Sequence, residues 1–319
     1  MRTSLSRRTF FGKAGVATTL GLRWPVSGKA IIDIFGASSG ASSTRSVPLP
    51  PMGRLVDMHV HYRHEEPDFL DTFLKLSDRL NITACMLTPF EHRKAVAEAA
   101  KRHPKQIIPF GAVSVDAPDV TQQVEELHEL GYRGLGEISS MKRNCSDPAY
   151  FPVYELASQY KWIVMFHTGI VGRDKFDEAE NVASGRMRPI HLEEIARQFP
   201  KLTVLGAHLG NPEYEWAGEV ARWNPNVYFD LSGTTLPKMA GRLNDFRKIF
   251  WWSDVEWEAQ PTDDPSPYSK LVFGTDTGTP NIETVLNRYL AMFESCGVPE
   301  GTRKMILGGT LAKMLGLSD

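Results

Sequence analysis

Two histidines, His59 and His61, lie two positions apart at the end of the apolar run "LVDMHVH" (55–61). On a β-strand, residues i and i+2 share one face and lie roughly 7 Å apart. The two imidazoles are therefore expected to point the same way, together with the carboxylate of Asp57. The spacing raises the question of what this strand face binds, and the partners of the pair must come from elsewhere in the chain.

Further histidines and carboxylates stand at the C-terminal ends of later apolar runs. They are Glu137 in "YRGLGEI" (132–138), His167 in "WIVMFHTG" (162–169), His208 in "KLTVLGAHLG" (201–210) and Asp276 in "KLVFGTDTG" (270–278). Imidazole and carboxylate ligands suit zinc, manganese or iron, and none of the candidates is a cysteine. The pattern therefore predicts a divalent metal site, with zinc as the expected ion.

Each of these residues alone also has a structural interpretation. A histidine in an apolar run, such as His167, is commonly a hydrogen-bonded core residue, and Asp276 could cap the helix that follows it. Glu137 alone could be a surface carboxylate. Together they favour a metal site, because a buried cluster of imidazoles and carboxylates is costly unless a cation compensates it.

The elements that would bring these residues together follow from an eightfold alternation. Strand-like runs alternate with amphipathic segments of helical length such as "DFLDTFLKLSDRL" and "RKAVAEAAKRH". The runs cover 55–61, 82–89, 107–115, 132–138, 162–169, 201–210, 226–233 and 270–278. This order predicts an α/β fold, a (β/α)8 TIM barrel in a single domain. The rival doubly wound sheet would need a glycine-rich loop after the first strand, where "HVHYRH" stands instead. In a barrel all strand C-termini lie on one face, so the candidates converge on one mouth.

The N-terminal segment precedes the predicted barrel. "SRRTFFGK" (6–13) resembles a twin-arginine export motif, and the apolar run that follows is shorter than the roughly 20 residues of a membrane span. We predict a twin-arginine signal peptide over 1–36, a flexible linker over 37–53 and the barrel over 54–319. These assignments imply the twin-arginine export machinery as a partner, a periplasmic location and no stable membrane insertion.

The overall charge bears on the class of partner. The chain has 36 basic and 38 acidic residues and a formal net charge of -2. This balance argues against a protein that coats nucleic acid, so a small-molecule substrate is expected. The tryptophan-rich segment 235–270 has three open interpretations: a pocket wall, helix-to-barrel packing, or a dimer contact that would make a homo-oligomer.

At its candidate ligands the sequence resembles the amidohydrolase superfamily, in the amidohydrolase-related branch. The matching stretches, "DMHVH", "FHTG", "GAHLGNP", "NVYFDLSG" and "FGTDTGTP", occur in the expected order within 54–317. The resemblance implies metal binding by His59, His61, His167 and Asp276. It assigns His208 either to acid–base catalysis or to further metal ligation.

Glu137 departs from the pattern of this branch, where a lysine is common on the fourth strand. Here "GLGEI" is similar to the metal-bridging glutamate of TatD-type nucleases, so two versions of the site stay open. In the one-metal version, Glu137 and His208 act from outside the ligand set. In the two-metal version, Glu137 bridges an ion on His59, His61 and Asp276 to a second ion on His167 and His208.

The resemblance implies hydrolysis of a small ester, lactone or amide by metal-activated water, with Asp276 transferring the proton and His208 stabilising the oxyanion. Three alternatives stay open. One is non-oxidative decarboxylation, as in aminocarboxymuconate semialdehyde decarboxylase. The others are a TatD-like nuclease and a non-catalytic binding protein. A decarboxylase would need an arginine for a substrate carboxylate, and the candidates are Arg63, Arg143, Arg173, Arg186 and Arg188.

Overall fold

Seven parallel strands form one curled sheet, hydrogen-bonded in the order of the chain. The computed structural model describes residues 53–173, 179, 181–250 and 267–317. The strands are β1 (Leu55–His61), β2 (Ile82–Pro89), β3 (Ile107–Ala112), β4 (Gly134–Ile138), β5 (Ile163–Phe166), β6 (Thr203–Gly206) and β7 (Val227–Phe229). Their residues are almost continuously buried, as expected for parallel strands covered on both faces. The predicted signal peptide, the linker up to residue 52 and the tryptophans of 251–257 lie outside the described residues.

The predicted eighth strand is present as an irregular segment that closes the barrel. Val272 donates its backbone N–H to Phe229 of β7, with an N–O distance of 2.9 Å. On the other side, Phe273 accepts a backbone hydrogen bond from Met58 of β1, also at 2.9 Å. The segment Leu271–Asp276 thus joins the last strand to the first. The predicted TIM barrel is confirmed.

This closing segment is irregular because side chains replace part of its backbone ladder. The N–H of Thr275 donates to Oδ1 of Asp57 at 3.0 Å, and the N–H of Gly274 donates to the hydroxyl of Tyr289 at 3.3 Å. These two donors are therefore not used for regular strand pairing. The prediction of a regular strand over 270–278 was wrong for this reason.

Helices cover the outside of the barrel and follow the strands in alternation. They are α1 (Phe69–Leu80), α2 (Arg93–Arg102), α3 (Val120–Glu129), α4 (Phe151–Gln159), α5 (Pro189–Gln198), α6 (Tyr214–Trp223), α7 (Thr235–Lys238), α8 (Phe246–Ile249), α9 (Ile282–Cys296), α10 (Glu300–Lys304) and α11 (Thr310–Leu315). The amphipathic pattern explains their packing: α1, for example, buries Phe69, Phe73 and Leu76. Within the described residues, no helix is both long and apolar enough to cross a membrane.

The inside of the barrel is apolar below its mouth. One buried cluster joins Val56 and Met58 of β1 to residues of β2, β3, β5, β6 and the closing segment. Leu311 and Leu315 of α11 belong to the same cluster. Residues from strands that are not neighbours can meet only in the interior, so this cluster fills the barrel beneath the polar mouth.

Several strands end earlier than predicted, which places key residues in turns. His167 directly follows β5, and His208 lies in a turn after β6 with a positive φ of 62°. Asp276 also has a positive φ, 48°. Such backbone conformations are uncommon outside glycine and concentrate at functional sites. They turn these side chains inward where an extended strand would have carried them past the mouth.

Candidate metal centre

Three side chains meet at the mouth of the barrel, and one oxygen of Glu137 faces the two imidazoles among them. Nε2 of His59 and Nε2 of His61 are 3.1 Å apart. Oδ1 of Asp276 lies 3.5 Å from the first and 3.4 Å from the second. Oε2 of Glu137 is 3.6 Å from each imidazole nitrogen. We call His59, His61 and Asp276 the Oε2 side of the site.

These distances fit a divalent ion. Ligands about 2.1 Å from a tetrahedral ion are about 3.4 Å apart. The three separations among the ligand atoms of His59, His61 and Asp276 run from 3.1 to 3.5 Å. Oε2 of Glu137 lies 3.6 Å from each of the two imidazole nitrogens. Two imidazole nitrogens and two carboxylate oxygens form a ligand set typical of zinc, manganese or iron. The residues present therefore fit a bound cation.

Two more histidines face the other oxygen of Glu137. Nδ1 of His167 lies 2.9 Å from Oε1 of Glu137, and Nε2 of His208 lies 3.3 Å from it. The Nε2 of His167 is 3.1 Å from the carbonyl of Ile170, so this ring presents Nδ1 to the site. We call His167 and His208 the Oε1 side. The two oxygens of Glu137 thus face different groups of imidazoles.

His59 belongs to both groupings of ligand atoms. The ligand atoms of His59, His61 and Asp276 lie within 4.8 Å of one another, and so do those of His59, Glu137 and His208. His167 falls in neither group. Among the described residues, His59 is therefore the centre of the cluster, and it is completely buried.

Two backbone features, a bulge in β1 and a hydrogen bond from the closing segment, help to orient His59 and His61. A bulge separates the pairs Asp57–Ala84 and Val60–Met86, so β1 carries one extra residue between them. A bulge interrupts the strict alternation of faces. The N–H of Asp276 donates to the carbonyl of His59 at 2.8 Å, which fixes the closing segment against β1 at the site.

A buried pair after β7, Asp230 and Ser232, supports the site and was missed at the sequence level. Oδ2 of Asp230 lies 2.9 Å from Nδ1 of His59, and Oδ1 accepts the backbone N–H of His208 at 2.8 Å. Ser232 Oγ lies 2.9 Å from Nδ1 of His208. The signal was available: "FDLSG" places both residues at the C-terminal end of a predicted strand.

The mouth is rich in ionised carboxylates. Burial works to raise the pKa of Glu137, but charge on His59 and hydrogen bonds from His167 and His208 hold it well below its ordinary value. Burial likewise works to raise the pKa of Asp276, but the neighbouring histidines, with the charge of His59 as the largest contribution, together outweigh it and bring that pKa to about 2. These carboxylates carry negative charge at neutral pH.

The imidazoles respond to this negative charge. Although burial opposes it, the carboxylates of Asp276 and Glu137 raise the pKa of His59 well above its ordinary value. The pKa of His208 is raised as well, because Glu137 outweighs burial. The cluster therefore favours added positive charge, which a divalent cation supplies without protonating the imidazoles.

A family model decides the class of the protein. The model described as amidohydrolase matches residues 43–317 of the chain. The chain belongs to the amidohydrolase family. This match covers the whole barrel and all the candidate ligands, so the family implied by the sequence resemblance, and with it the prediction of an enzyme, is confirmed. No curated protein matches the chain.

Solved structures similar to this amidohydrolase share its fold at low identity. A 5-carboxyvanillate decarboxylase from Sphingomonas paucimobilis is 13% identical, covers 83% of this chain and 99% of its own, and has a TM-score of 0.56. A protein assigned as a 2-pyrone-4,6-dicarboxylic acid hydrolase from Acinetobacter baumannii, with citric acid bound, is 13% identical, with 83% and 100% covered and a TM-score of 0.53.

A third similar structure contains a metal. It is a 5-carboxyvanillate decarboxylase from Novosphingobium aromaticivorans with bound manganese, 12% identical, covering 83% of this chain and 97% of its own, with a TM-score of 0.55. All three barrels align over nearly their whole length with this amidohydrolase. At such identity they establish the fold.

The six candidates from the sequence all lie at the mouth of this amidohydrolase, in one connected set of contacts. Their individual roles as ligands or acid–base groups stay predictions. Asp57 is not one of these six candidates, and it belongs to neither ligand group. Its carboxylate accepts hydrogen bonds from Thr275 and from the backbone of His59. Burial raises the pKa of Asp57 to about 6, against these hydrogen bonds.

Proposed function

We propose that this amidohydrolase uses a divalent metal ion to hydrolyse an ester, lactone or amide bond of a small molecule. The observation that carries the proposal is the group formed by His59, His61 and Asp276, whose ligand atoms lie 3.1 to 3.5 Å apart, as ligands of one ion do. Oε2 of Glu137 lies 3.6 Å from both imidazole nitrogens and can add a fourth ligand. A cation held there polarises a carbonyl group and lowers the pKa of water from 15.7 toward about 7.

The protein residues have separate roles in this proposal. Asp276 is ionised, and its Oδ1 faces the two imidazoles of β1 while Oδ2 lies 4.0 Å from Nε2 of His208. We assign to Asp276 the acceptance of a proton from the attacking water and its delivery to the leaving group. His208 lies next to Oδ2 of Asp276, and we assign to it a hydrogen bond to the substrate oxygen on which negative charge develops.

The identity and number of the ions belong to the proposal as well. We propose one zinc ion per chain, on the Oε2 side, where three side chains accompany Glu137. A second, weaker ion on the Oε1 side, where two side chains do so, is the alternative. The two carboxylate oxygens of Glu137 face different groups of side chains, and the larger group lies on the Oε2 side, which supports occupation of that side first. One ion per chain would assign His208 to oxyanion stabilisation, whereas two ions would assign it to metal ligation.

Non-oxidative decarboxylation is the second candidate, favoured by one arginine. The Nε of Arg63, two residues after His61, is buried and donates to no acceptor among the described residues. Its pairing with Glu66 is loose, with 3.8 Å between Nη1 and Oε1. Arg186 and Arg188, by contrast, already donate to protein oxygens. Arg63 is our candidate for holding a substrate carboxylate.

A substrate screen of the zinc-loaded protein separates the two reactions. The panel contains lactones, amides, esters and aromatic carboxylic acids, and the metal-free protein is the control. New acid without carbon dioxide supports hydrolysis, and carbon dioxide release supports decarboxylation. Equal rates with zinc-loaded and metal-free protein would contradict a metal-dependent reaction. Arg63→Ala should raise KM only for substrates that carry a carboxylate.

We also propose export through the twin-arginine machinery to the periplasm, supported by the arginine pair Arg7–Arg8 followed by Phe10 and Phe11. The test is cell fractionation of the wild type and of a variant with both arginines replaced by lysine. Retention of that variant inside the cell, with the wild type in the periplasm, supports the proposal. Equal distribution of the two proteins would contradict it.

A further inference from the structure

Asp230 is a completely buried carboxylate that contacts two histidines of the mouth from beneath. Its Oδ2 lies 2.9 Å from Nδ1 of His59. Its Oδ1 accepts the backbone N–H of His208 at 2.8 Å and that of Ser232 at 3.0 Å. One carboxylate thus holds the side chain of one histidine and the backbone of another, although the two come from β1 and from the turn after β6.

Ser232 extends this contact to the second imidazole. Its Oγ lies 2.7 Å from Oδ1 of Asp230, 2.9 Å from Nδ1 of His208 and 3.1 Å from Nδ1 of His59. A hydroxyl has one proton to donate, and an ionised carboxylate can only accept. Ser232 therefore donates to Asp230, and its oxygen accepts from the Nδ1–H of His208.

The same argument fixes the proton of His59. Because Oδ2 of Asp230 can only accept, Nδ1 of His59 must be the donor in their contact. Both rings then carry hydrogen on Nδ1 and present Nε2 to the mouth. Nε2 of His59 faces Glu137 and Asp276, and Nε2 of His208 faces Glu137.

We propose that Asp230 is the positioning residue shared by His59 and His208, acting on the first ring directly and on the second through Ser232. The inference rests on the proposed metal site, since it concerns which nitrogen each ring offers to a cation. Carboxylates that hold the far nitrogen of a histidine ligand commonly change metal affinity by 10–100-fold when they are replaced.

The backbone around Asp230 leaves room for this arrangement. A Cβ atom at Gly274 would lie 2.5 Å from Oδ2 of Asp230, and one at Gly233 would lie 2.8 Å from Nδ1 of His208. Gly233 also has a positive φ of 61°. The carboxylate and the ring therefore occupy space that any larger residue at these two positions would fill.

Zinc affinity of Asp230→Asn is the principal test. The amide keeps an oxygen for the backbone N–H groups but turns its NH2 toward Nδ1 of His59, which forces the ring proton onto Nε2. We expect zinc affinity to fall 10–100-fold. The matched control is Asp57→Asn, another fully buried carboxylate. Asp57 contacts His59 only at its backbone N–H and otherwise accepts hydrogen bonds from Thr275, so this variant should change affinity less than threefold.

Ser232→Ala tests the second half of the inference without altering the carboxylate. In zinc-loaded protein containing isotope-labelled histidine, the wild type should show slowly exchanging Nδ1–H signals for both rings. Ser232→Ala should remove the protected signal of His208 and keep that of His59, and Ser232→Thr should restore it. The affinity of the first zinc ion should change less than threefold in Ser232→Ala.

The outcomes separate this inference from the proposed function. Absence of zinc binding by the wild type contradicts the metal site itself. Zinc binding by the wild type with unchanged affinity in folded Asp230→Asn overturns the positioning role. An unchanged His208 signal in Ser232→Ala overturns the part assigned to Ser232, and this test stands even where Asp230→Asn fails to fold.

Discussion

The two sides of Glu137 differ in how many ligands they offer and in which elements supply those ligands. The Oε2 side draws His59 and His61 from β1 and Asp276 from the adjoining closing segment, and a backbone hydrogen bond of 2.8 Å joins the two elements. The Oε1 side has two imidazoles from β5 and β6, and one of them also contacts the carbonyl of Ile170.

This difference indicates which side should bind a metal ion with the higher affinity. Affinity rises with the number of ligands already in place, because each one removes an ordering cost from binding. The Oε2 side presents two nitrogens and one carboxylate oxygen besides Oε2 of Glu137, whereas the Oε1 side presents two nitrogens besides Oε1. A cation should therefore occupy the Oε2 side first, and the Oε1 side should contribute more to substrate chemistry.

The largest expected effect separates binding from chemistry on the Oε2 side. In Asp276→Asn, the amide oxygen can still face the imidazoles, but the proton acceptor is lost. We expect turnover to fall about 10²–10⁴-fold while much of the metal stays bound. Kinetics paired with metal analysis measure both quantities. Asp71→Asn, on the exposed surface of α1, serves as control. Retained turnover in Asp276→Asn would contradict the proton-transfer role.

The second prediction compares one histidine from each side. His61→Ala removes a ligand from the Oε2 side and should weaken binding of the first zinc ion at least about 100-fold. His167→Ala, on the Oε1 side, should weaken it less than tenfold. Isothermal titration of the metal-free variants measures both. Equal losses in the two variants would remove the distinction between the sides.

Removal of the metal ion from the Oε2 side should lower the free energy of unfolding. A ligand that binds only the folded state, at 100 times its dissociation constant, stabilises that state by about 2.7 kcal/mol. Denaturant unfolding with zinc and with a chelator should differ by about this amount in the wild type. The difference should nearly vanish in His61→Ala. An unfolding midpoint of the wild type that is the same with zinc and with chelator would contradict metal binding at the Oε2 side.

The smallest predicted effect concerns the support beneath the Oε2 side. Gly274→Ala would place a methyl group 2.5 Å from Oδ2 of Asp230 and should cost about 1–3 kcal/mol of stability. Gly301→Ala in α10 meets nothing within 4 Å and should be neutral or slightly stabilising. Equal unfolding midpoints for the two variants would show that the contact around Asp230 tolerates displacement.

The barrel and most of the site could be predicted from the sequence because both follow local rules. Alternating apolar runs and amphipathic segments specify the βα units. Polar residues at strand ends must meet at one face of a barrel, which brought together residues as distant as His59 and Asp276. Asp230 follows the same rule, but the stretch "FDLSG" alone does not show that His59 and His208 contact its carboxylate.

Other features depend on distances that no local pattern contains. The separate facing of the two oxygens of Glu137 results from the relative placement of four strands. The turning of Asp57 toward Thr275 follows from the bulge in β1 and from the irregular closing segment, where side chains accept two backbone N–H groups. These are tertiary contacts, so strand alternation alone does not show which groups the carboxylate of Asp57 contacts.

The central claim is that His59, His61, Glu137 and Asp276 together hold a divalent cation. Anomalous diffraction at the zinc edge from crystals of the zinc-loaded protein tests it most directly. The account predicts an anomalous peak about 2.0–2.2 Å from Nε2 of both histidines and from one oxygen of each carboxylate. Absence of a peak at the mouth, or a peak ligated by other residues, would contradict it.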